Sequence, residues 1–114
     1  MSIHFLVRLE PFSGKETAFR EELLRVVEPS RAEPGCLGIH VFESIREPAT
    51  FAIHSEWLDE AAFELHANLP HTVYFLRAVE RLLPHPMLGL RARQIGGGAG
   101  AGAELTRPAP SGGL

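Results

Sequence analysis

The amino-acid sequence predicts an α+β fold in which an antiparallel sheet of four strands carries helices on one face, in the ferredoxin-like order β-α-β-β-α-β. Four segments alternate apolar and polar side chains with the two-residue period of a strand. After the first and after the third of these segments, apolar residues recur at the spacing of a helix. The chain has 114 residues, of which 45% are apolar and 22% charged. This length and this balance are typical of a single soluble domain.

The first strand is predicted at residues 2–10 and the first helix at residues 14–28. One face of the strand carries the apolar residues Ile3, Phe5, Val7 and Leu9. Ser13 and Glu16 have the spacing of a capping box at a helix start, and Pro29 is expected to end the helix. Apolar residues recur between them at helical spacing: Phe19, Leu23, Val26 and Val27.

The second and third strands are predicted at residues 36–45 and 51–58, and the short connection that contains Pro48 indicates a hairpin. In the second strand, one face carries Leu37, Ile39 and Val41, and the other carries Cys36, Gly38, His40 and Phe42. In the third strand, one face carries Phe51, Ile53, Ser55 and Trp57.

Two helices and a last strand are predicted to complete the domain. Asp59 can cap a helix over residues 60–67. Pro70 fits the first turn of a helix and breaks a helix interior, so it is expected to separate this helix from the next one. Pro84 ends that third helix, and residues 87–95 are predicted to form the fourth strand.

Composition divides the chain into a domain at residues 1–95 and a tail at residues 96–114. The tail holds seven of the eleven glycines and has only two sizeable aliphatic side chains, Leu105 and Leu114. It can bury too little apolar surface to offset the entropy lost on ordering, so it is predicted to be flexible.

Helices on one side of the sheet leave the other side uncovered, and the residues predicted there are mixed in polarity. They are His4, Leu6, Arg8, His40, Phe42, His54, Glu56 and Leu58. Such a surface is too apolar for water and too polar for a dry core, so we expect it to meet a second copy of the chain in a homodimer.

Charge and composition exclude several classes of function. The net charge of −3 and a single lysine argue against nucleic-acid binding, and no apolar run reaches the length of a membrane span. The lone Cys36 cannot form an internal disulfide, and the N-terminus has no leader pattern, so the expected location is cytoplasmic. Nucleotide, flavin, haem and serine-hydrolase motifs do not occur, so no cofactor is expected.

Two segments resemble antibiotic biosynthesis monooxygenase (ABM) domains. One is SRAEPGCL at residues 30–37, and the other is FAIHSEW at residues 51–57. After the second come the further matching residues Ala61, Ala62, Leu65, His66, Pro70, His71 and Phe75. The resemblance covers residues 2–95 and implies a dimeric α+β barrel. Some members of this family resemble oxygenases that act on quinols or anthrones without a cofactor. Other members degrade haem, isomerise small metabolites or have no settled activity.

The candidate site residues come from this resemblance and from the predicted elements. His66 matches the helix histidine of the family and is the candidate catalytic base or substrate anchor. Trp57, Phe63 and Tyr74 are the candidate walls of a substrate cavity, and His71 could reach its mouth. For each of these residues the alternative is a packing role: a core histidine bonded to backbone, or aromatic side chains that only fill space.

No metal is expected. His4, His40, His54 and Glu56 could supply ligands, but they lie on the face predicted to form the dimer, and a polar dimer interior explains them more simply. Glu56 is expected to accept hydrogen bonds from Arg8, Arg91 or Arg93. The third strand has Ile53 and Ser55 where active oxygenases of the family often carry a polar residue such as asparagine.

The sequence thus supports three functional hypotheses. The first is a cofactor-independent monooxygenase that oxidises a small aromatic quinol or anthrone with dioxygen. The second is a non-catalytic dimeric module that binds a small molecule. The third is an isomerase of small metabolites on the same scaffold.

Overall fold

The computed structural model describes residues 1–103 as an antiparallel sheet of four strands with three helices. The elements in chain order are β1 (Ile3–Leu9), α1 (Glu16–Arg31), β2 (Cys36–Glu43), β3 (Phe51–Trp57), α2 (Glu60–Ala67), α3 (Pro70–Glu80) and β4 (Gly89–Ala92). The strands pair in the order β2-β3-β1-β4. The predicted α+β ferredoxin-like fold, including the division of the second helical region, is confirmed.

The strand register places alternate residues of β1 and β3 on the side of the sheet that faces the helices. Phe5 lies opposite Ser55, and Val7 lies opposite Ile53. The core on this side consists of Val7, Leu9, Phe19, Leu23, Val26, Phe51, Phe75, Val79 and Leu82. The alternation read from the sequence therefore identifies the buried face of both central strands.

Both ends of α1 differ from the prediction. The helix begins at Glu16, and its carboxylate accepts a hydrogen bond of 2.8 Å from the Gly14 N–H, so the capping box predicted from Ser13 does not form. Pro29 lies inside the helix rather than beyond it. Its missing N–H removes one helical hydrogen bond, but the chain stays helical because the Ala32 N–H still bonds to the Glu28 carbonyl at 3.2 Å.

The start of β2 carries a β-bulge that the sequence analysis missed. Cys36 pairs with Trp57, whereas Gly38 pairs with Glu56, so Leu37 is the extra residue. As a result Leu37 is 53% exposed instead of facing the helices. Cys36 lies opposite Trp57 and therefore belongs to the row of residues that faces the helices. The predicted faces of these two residues were wrong, whereas those of the residues from Gly38 onward agree with the register.

The second helical region begins and divides as predicted. The Asp59 side chain accepts a hydrogen bond of 2.8 Å from the Ala62 N–H and caps α2. Pro70 is the first residue of α3. The Gly35 backbone passes so close to α2 that a Cβ at position 35 would lie 2.5 Å from the Ala62 Cβ. This contact sets the position of α2 against the turn that enters β2.

The last strand is shorter than the predicted 87–95, because β4 pairs only with the four residues of β1 from His4 to Val7. At its start, Gly89 leaves room for the Phe5 ring, since a Cβ at position 89 would lie 1.9 Å from the Phe5 Cζ. Residues 96–103 form no strand and are largely exposed, whereas the rest of the predicted tail lies outside the described residues.

The sheet face away from the helices carries the mixed surface that the sequence predicts. Leu6 is 41% exposed, Phe42 58% and Leu90 60%, and the rings of His4 and His54 stack beside them. Within residues 1–103 no helix has both the length and the apolar character of a membrane span.

Candidate active site

A cavity of about 140 Å³ lies between the sheet and the helices. Its wall is mostly apolar, and its polar members are Ser30, Ser55, His66 and Thr72. A larger hollow, at residues 83–87 and the end of α3, has Glu80 and His85 in its wall but none of the predicted site residues. Apolar walls with a few converging polar groups are typical of small-molecule sites, so the smaller cavity is the candidate active site.

Three side chains from three segments form a hydrogen-bonded network beside this cavity. Glu33 Oε2, in the turn between α1 and β2, lies 2.7 Å from His66 Nδ1 on α2 and 2.7 Å from His71 Nε2 at the start of α3. Glu33 is 9% exposed, His66 13% and His71 24%. Because a carboxylate accepts hydrogen bonds, both imidazoles donate to it, and His66 is left with Nε2 as its proton-accepting nitrogen.

The His66 ring is held from a second direction by Trp57. The two ring centroids are 4.2 Å apart, and Trp57 is fully buried. The indole N–H donates a hydrogen bond of 2.9 Å to Ser55 Oγ, so the one polar atom of Trp57 is satisfied within the core. The histidine is therefore fixed both by a carboxylate and by an aromatic face.

The structure brings four of the five predicted site residues together. His66 and Phe63 line the cavity, Trp57 lies behind His66, and His71 joins His66 through the shared carboxylate. Tyr74 is not brought to the cavity: it is 57% exposed on α3. The buried positions of that helix are Thr72, Phe75 and Val79. Position 74 is two residues from Thr72, which puts it on the opposite side of the helix.

Sequence reasoning missed Glu33, Ser30, Ser55 and Thr72 as members of the site. Glu33 is far from His66 in sequence, and its only signal was its place in the SRAEPGCL segment. Ser30 belongs to the same segment. Hydroxyl side chains at buried positions of helices and strands give no pattern of their own, so Ser55 and Thr72 could be found only from the fold.

Glu33, His66 and His71 are also a donor set that metals can use, since one ligand atom from each lies within 4.8 Å of the others. Two histidines and a carboxylate suit iron and zinc. The separation of 2.7 Å between Glu33 and each histidine is that of a direct hydrogen bond. The sequence analysis considered only the histidines of the open sheet face and Glu56 as metal ligands and did not identify this set.

The histidines of the open sheet face contact one another, and one of them, His4, also lies near a carboxylate, with its Nε2 3.8 Å from Glu56 Oε2. His4 Nδ1 lies 2.8 Å from His54 Nε2, and Glu56 accepts a hydrogen bond of 2.6 Å from Ser2 Oγ. The expected hydrogen bond to Glu56 from Arg8, Arg91 or Arg93 does not form within residues 1–103, and Arg91 lies on the helix side of the sheet. Arg91 forms an ion pair with Glu64 at 2.6 Å and lies 4.8 Å from the centroid of the Phe63 ring.

The Cys36 thiol and the Arg20–Glu43 pair have shifted pKa values, and both lie outside the cavity lining. Burial raises the pKa of the Cys36 thiol, which keeps it protonated and weakly nucleophilic. The hydrogen bond from Arg20 lowers the pKa of Glu43, and this pair joins α1 to the end of β2. Neither group has a role in the candidate chemistry.

Comparison with known proteins adds to this geometry. A family model described as antibiotic biosynthesis monooxygenase matches residues 2–80. The chain is 34% identical over 81 residues to "Putative monooxygenase YcnE" of Bacillus subtilis (strain 168), and the match covers 71% of this chain and 83% of that protein.

Solved structures share the fold. PA3566 from Pseudomonas aeruginosa is 28% identical, with a TM-score of 0.77 over 83% of this chain and 95% of that one. Rv0793 from Mycobacterium tuberculosis is 21% identical, with a TM-score of 0.80 over 87% and 100%. The family match and the named relative support a monooxygenase-like function in general terms. Because the family model covers more than half of the sequence, the chain belongs to the antibiotic biosynthesis monooxygenase family.

Proposed function

We propose that this protein is a cofactor-independent monooxygenase that oxidises a small aromatic quinol with dioxygen. The observation that carries the proposal is the position of His66, whose ring lines a mostly apolar cavity while its Nδ1 is bound to Glu33. A fixed imidazole in a site with few polar groups is suited to remove a phenolic proton.

The proposed reaction uses the substrate itself as the reductant. His66 Nε2 accepts the phenolic proton, and the resulting electron-rich anion transfers electrons to dioxygen. One oxygen atom becomes bonded to a ring carbon, and the other leaves as water with two hydrogen atoms of the substrate. A dihydroxyarene and dioxygen thus give a hydroxyquinone and water, with no other reductant consumed.

The size of the cavity narrows the substrate class. Its volume is about 140 Å³. An engineered apolar cavity of about 150 Å³ in another protein binds one benzene molecule. This favours an aromatic substrate of one ring over an anthrone, which has three fused rings.

Oxygen consumption tests the proposal. We expect one-ring quinols to be consumed with uptake of dioxygen, with no loss of rate in the presence of a metal chelator. His66→Ala should lower kcat by about 100-fold, the usual contribution of a general base. His85→Ala is the matched control, since His85 is exposed and lies outside the cavity lining. Uptake that is unchanged by His66→Ala would overturn the role of His66.

The hydrogen-bonded network also favours a second candidate, an acid–base isomerase. Glu33 connects His66 to His71, so a proton taken up at the cavity could pass along the three groups and return to another substrate atom. Such an enzyme would form an isomeric product without oxygen uptake. Binding of quinols with no product of either kind would instead support the non-catalytic module.

We also propose that the protein acts as a homodimer joined through the open face of its sheet. The support is the exposed apolar side chains of Leu6 on β1, Phe42 on β2 and Leu90 on β4, of which Leu6 and Leu90 are paired neighbours and Phe42 lies beyond β3. A second copy would remove this area from water, as the family resemblance implies.

A further inference from the structure

The hydroxyl group of Ser30 is the unsatisfied polar group of the cavity. Ser30 lies in the last turn of α1, is fully buried and lines the cavity. Its Oγ has no hydrogen-bond partner within residues 1–103. A serine in a helix commonly donates to the carbonyl four residues earlier, and here it does not. Buried hydroxyl groups are nearly always hydrogen-bonded, so this one indicates a partner that enters the cavity.

The other polar groups of the cavity are already engaged. Ser55 Oγ accepts the indole N–H of Trp57 at 2.9 Å. Thr72 Oγ1 lies 3.3 Å from His66 Nδ1, which also contacts Glu33. Within residues 1–103, the side-chain atoms of the cavity lining left for a ligand's polar groups are therefore Ser30 Oγ on α1 and His66 Nε2 on α2.

We infer that Ser30 is a specificity-determining residue that binds an oxygen atom of a one-ring substrate carrying two oxygen substituents. This inference rests on the proposed function: the first oxygen substituent gives its proton to His66, and the second binds to Ser30. A serine hydroxyl both donates and accepts, so it can bind a phenolic hydroxyl of the substrate and a carbonyl of the quinone product. The remaining wall is apolar and selects for the ring.

The test measures binding rather than turnover. Affinities for phenol and for the three dihydroxybenzene isomers are determined by calorimetry without oxygen, so that no substrate is consumed. At least one dihydroxybenzene should bind about fivefold more tightly than phenol, since a neutral hydrogen bond contributes about 1 kcal/mol. In Ser30→Ala the preferred isomer should lose most of this advantage, while phenol should bind as before.

Two further variants separate specificity from folding. Ser30→Thr keeps the hydroxyl and should keep the preference for the dihydroxybenzene. Ser13→Ala is the matched control, because Ser13 is exposed and distant from the cavity lining. If Ser30→Ala fails to fold, Ser30→Cys is measured in its place and should lose the preference in the same way, because a thiol is a weak hydrogen-bond partner.

The inference is overturned if the wild-type protein does not distinguish phenol from any dihydroxybenzene. It is also overturned if Ser30→Ala leaves the ratio of affinities unchanged, the result expected when a buried water is the partner of Ser30. Selective binding that depends on Ser30, without oxygen uptake, would support the inference and contradict the monooxygenase function. The two proposals can therefore fail independently.

Discussion

Glu33 is the residue that determines how His66 can act. Its carboxylate is nearly buried and accepts hydrogen bonds from two imidazoles, so it fixes the Nδ1–H tautomer of His66. In serine proteases a buried carboxylate orients the catalytic histidine in the same way. A histidine on a helix can be found by its spacing, but its partner across the fold cannot.

Replacement of Glu33 tests this role directly. Glu33→Gln keeps the size of the side chain but removes the charge and half of its accepting capacity. We expect kcat for quinol oxidation to fall by at least about tenfold, since the histidine loses its fixed tautomer. The measurement is oxygen uptake, with Glu28→Gln as the control because Glu28 is an exposed carboxylate of α1. An unchanged kcat in a folded Glu33→Gln protein would contradict the orienting role.

Cys36 provides a second test at this scale. Burial raises the pKa of its thiol above the ordinary value, so less thiolate is present at any pH below that pKa. We expect alkylation by iodoacetamide at pH 8 to be several-fold slower in the folded protein than in urea, and the rate to increase with pH beyond the range of a free cysteine. A folded-state rate equal to that in urea would contradict the burial of this thiol.

At the scale of elements, the turn before β2 determines where α2 lies. The Gly35 backbone contacts Ala62, and the Gly35 carbonyl accepts a hydrogen bond of 2.9 Å from the Leu58 N–H. Because α2 carries His66 and the turn carries Glu33, this contact also sets the distance between the two groups of the site. The Pro34-Gly35 turn therefore helps to position Glu33 and His66 relative to each other.

A methyl group at position 35 should displace α2. Gly35→Ala would place its Cβ 2.5 Å from the Ala62 Cβ, and overpacking of this kind costs about 1–3 kcal/mol. Urea unfolding measures the loss of stability. Gly38→Ala is the matched control, because its nearest neighbour would be the His40 Nε2 at 3.6 Å. Equal stability of the two variants would show that the turn and α2 are free to separate.

The elements themselves were largely predictable, because periodicity depends on local spacing. The alternation in β1 and β3 identifies the helix-facing side and places Trp57 on it, whereas His66 came from the family resemblance and its place on the predicted helix. The β-bulge at Leu37 was not predictable, since one extra residue leaves the sequence pattern unchanged. The outward position of Tyr74 follows from its spacing to the buried Thr72, so the helical pattern could have excluded it from the cavity.

At the scale of the whole molecule, the sheet has two unlike faces. One packs against the helices and borders the cavity, and the other exposes Leu6 and Phe42 beside stacked histidines. The register shows that these residues lie in neighbouring rows across the strands. Exposed apolar area of this kind on a small domain is typical of a protein interface.

Light scattering tests the proposed dimer. We expect a particle of twice the chain mass of 12.5 kDa. Leu6→Asp should shift it to the monomer, because it places a charge in the apolar part of the open face. Leu24→Asp is the matched control, since Leu24 is 55% exposed on α1. A wild-type monomer that remains in solution at high concentration would contradict the proposal.

Because Gly89 has no side chain, the residue at this position affects the shape of the cavity. The Phe5 ring occupies the space that any larger residue at position 89 would fill, and the same ring is part of the cavity wall. A larger residue at position 89 would therefore displace the Phe5 ring, which borders the cavity and packs against Phe63 at a centroid distance of 4.8 Å. A residue of the edge strand that does not itself line the cavity can thus change the space available to a ligand.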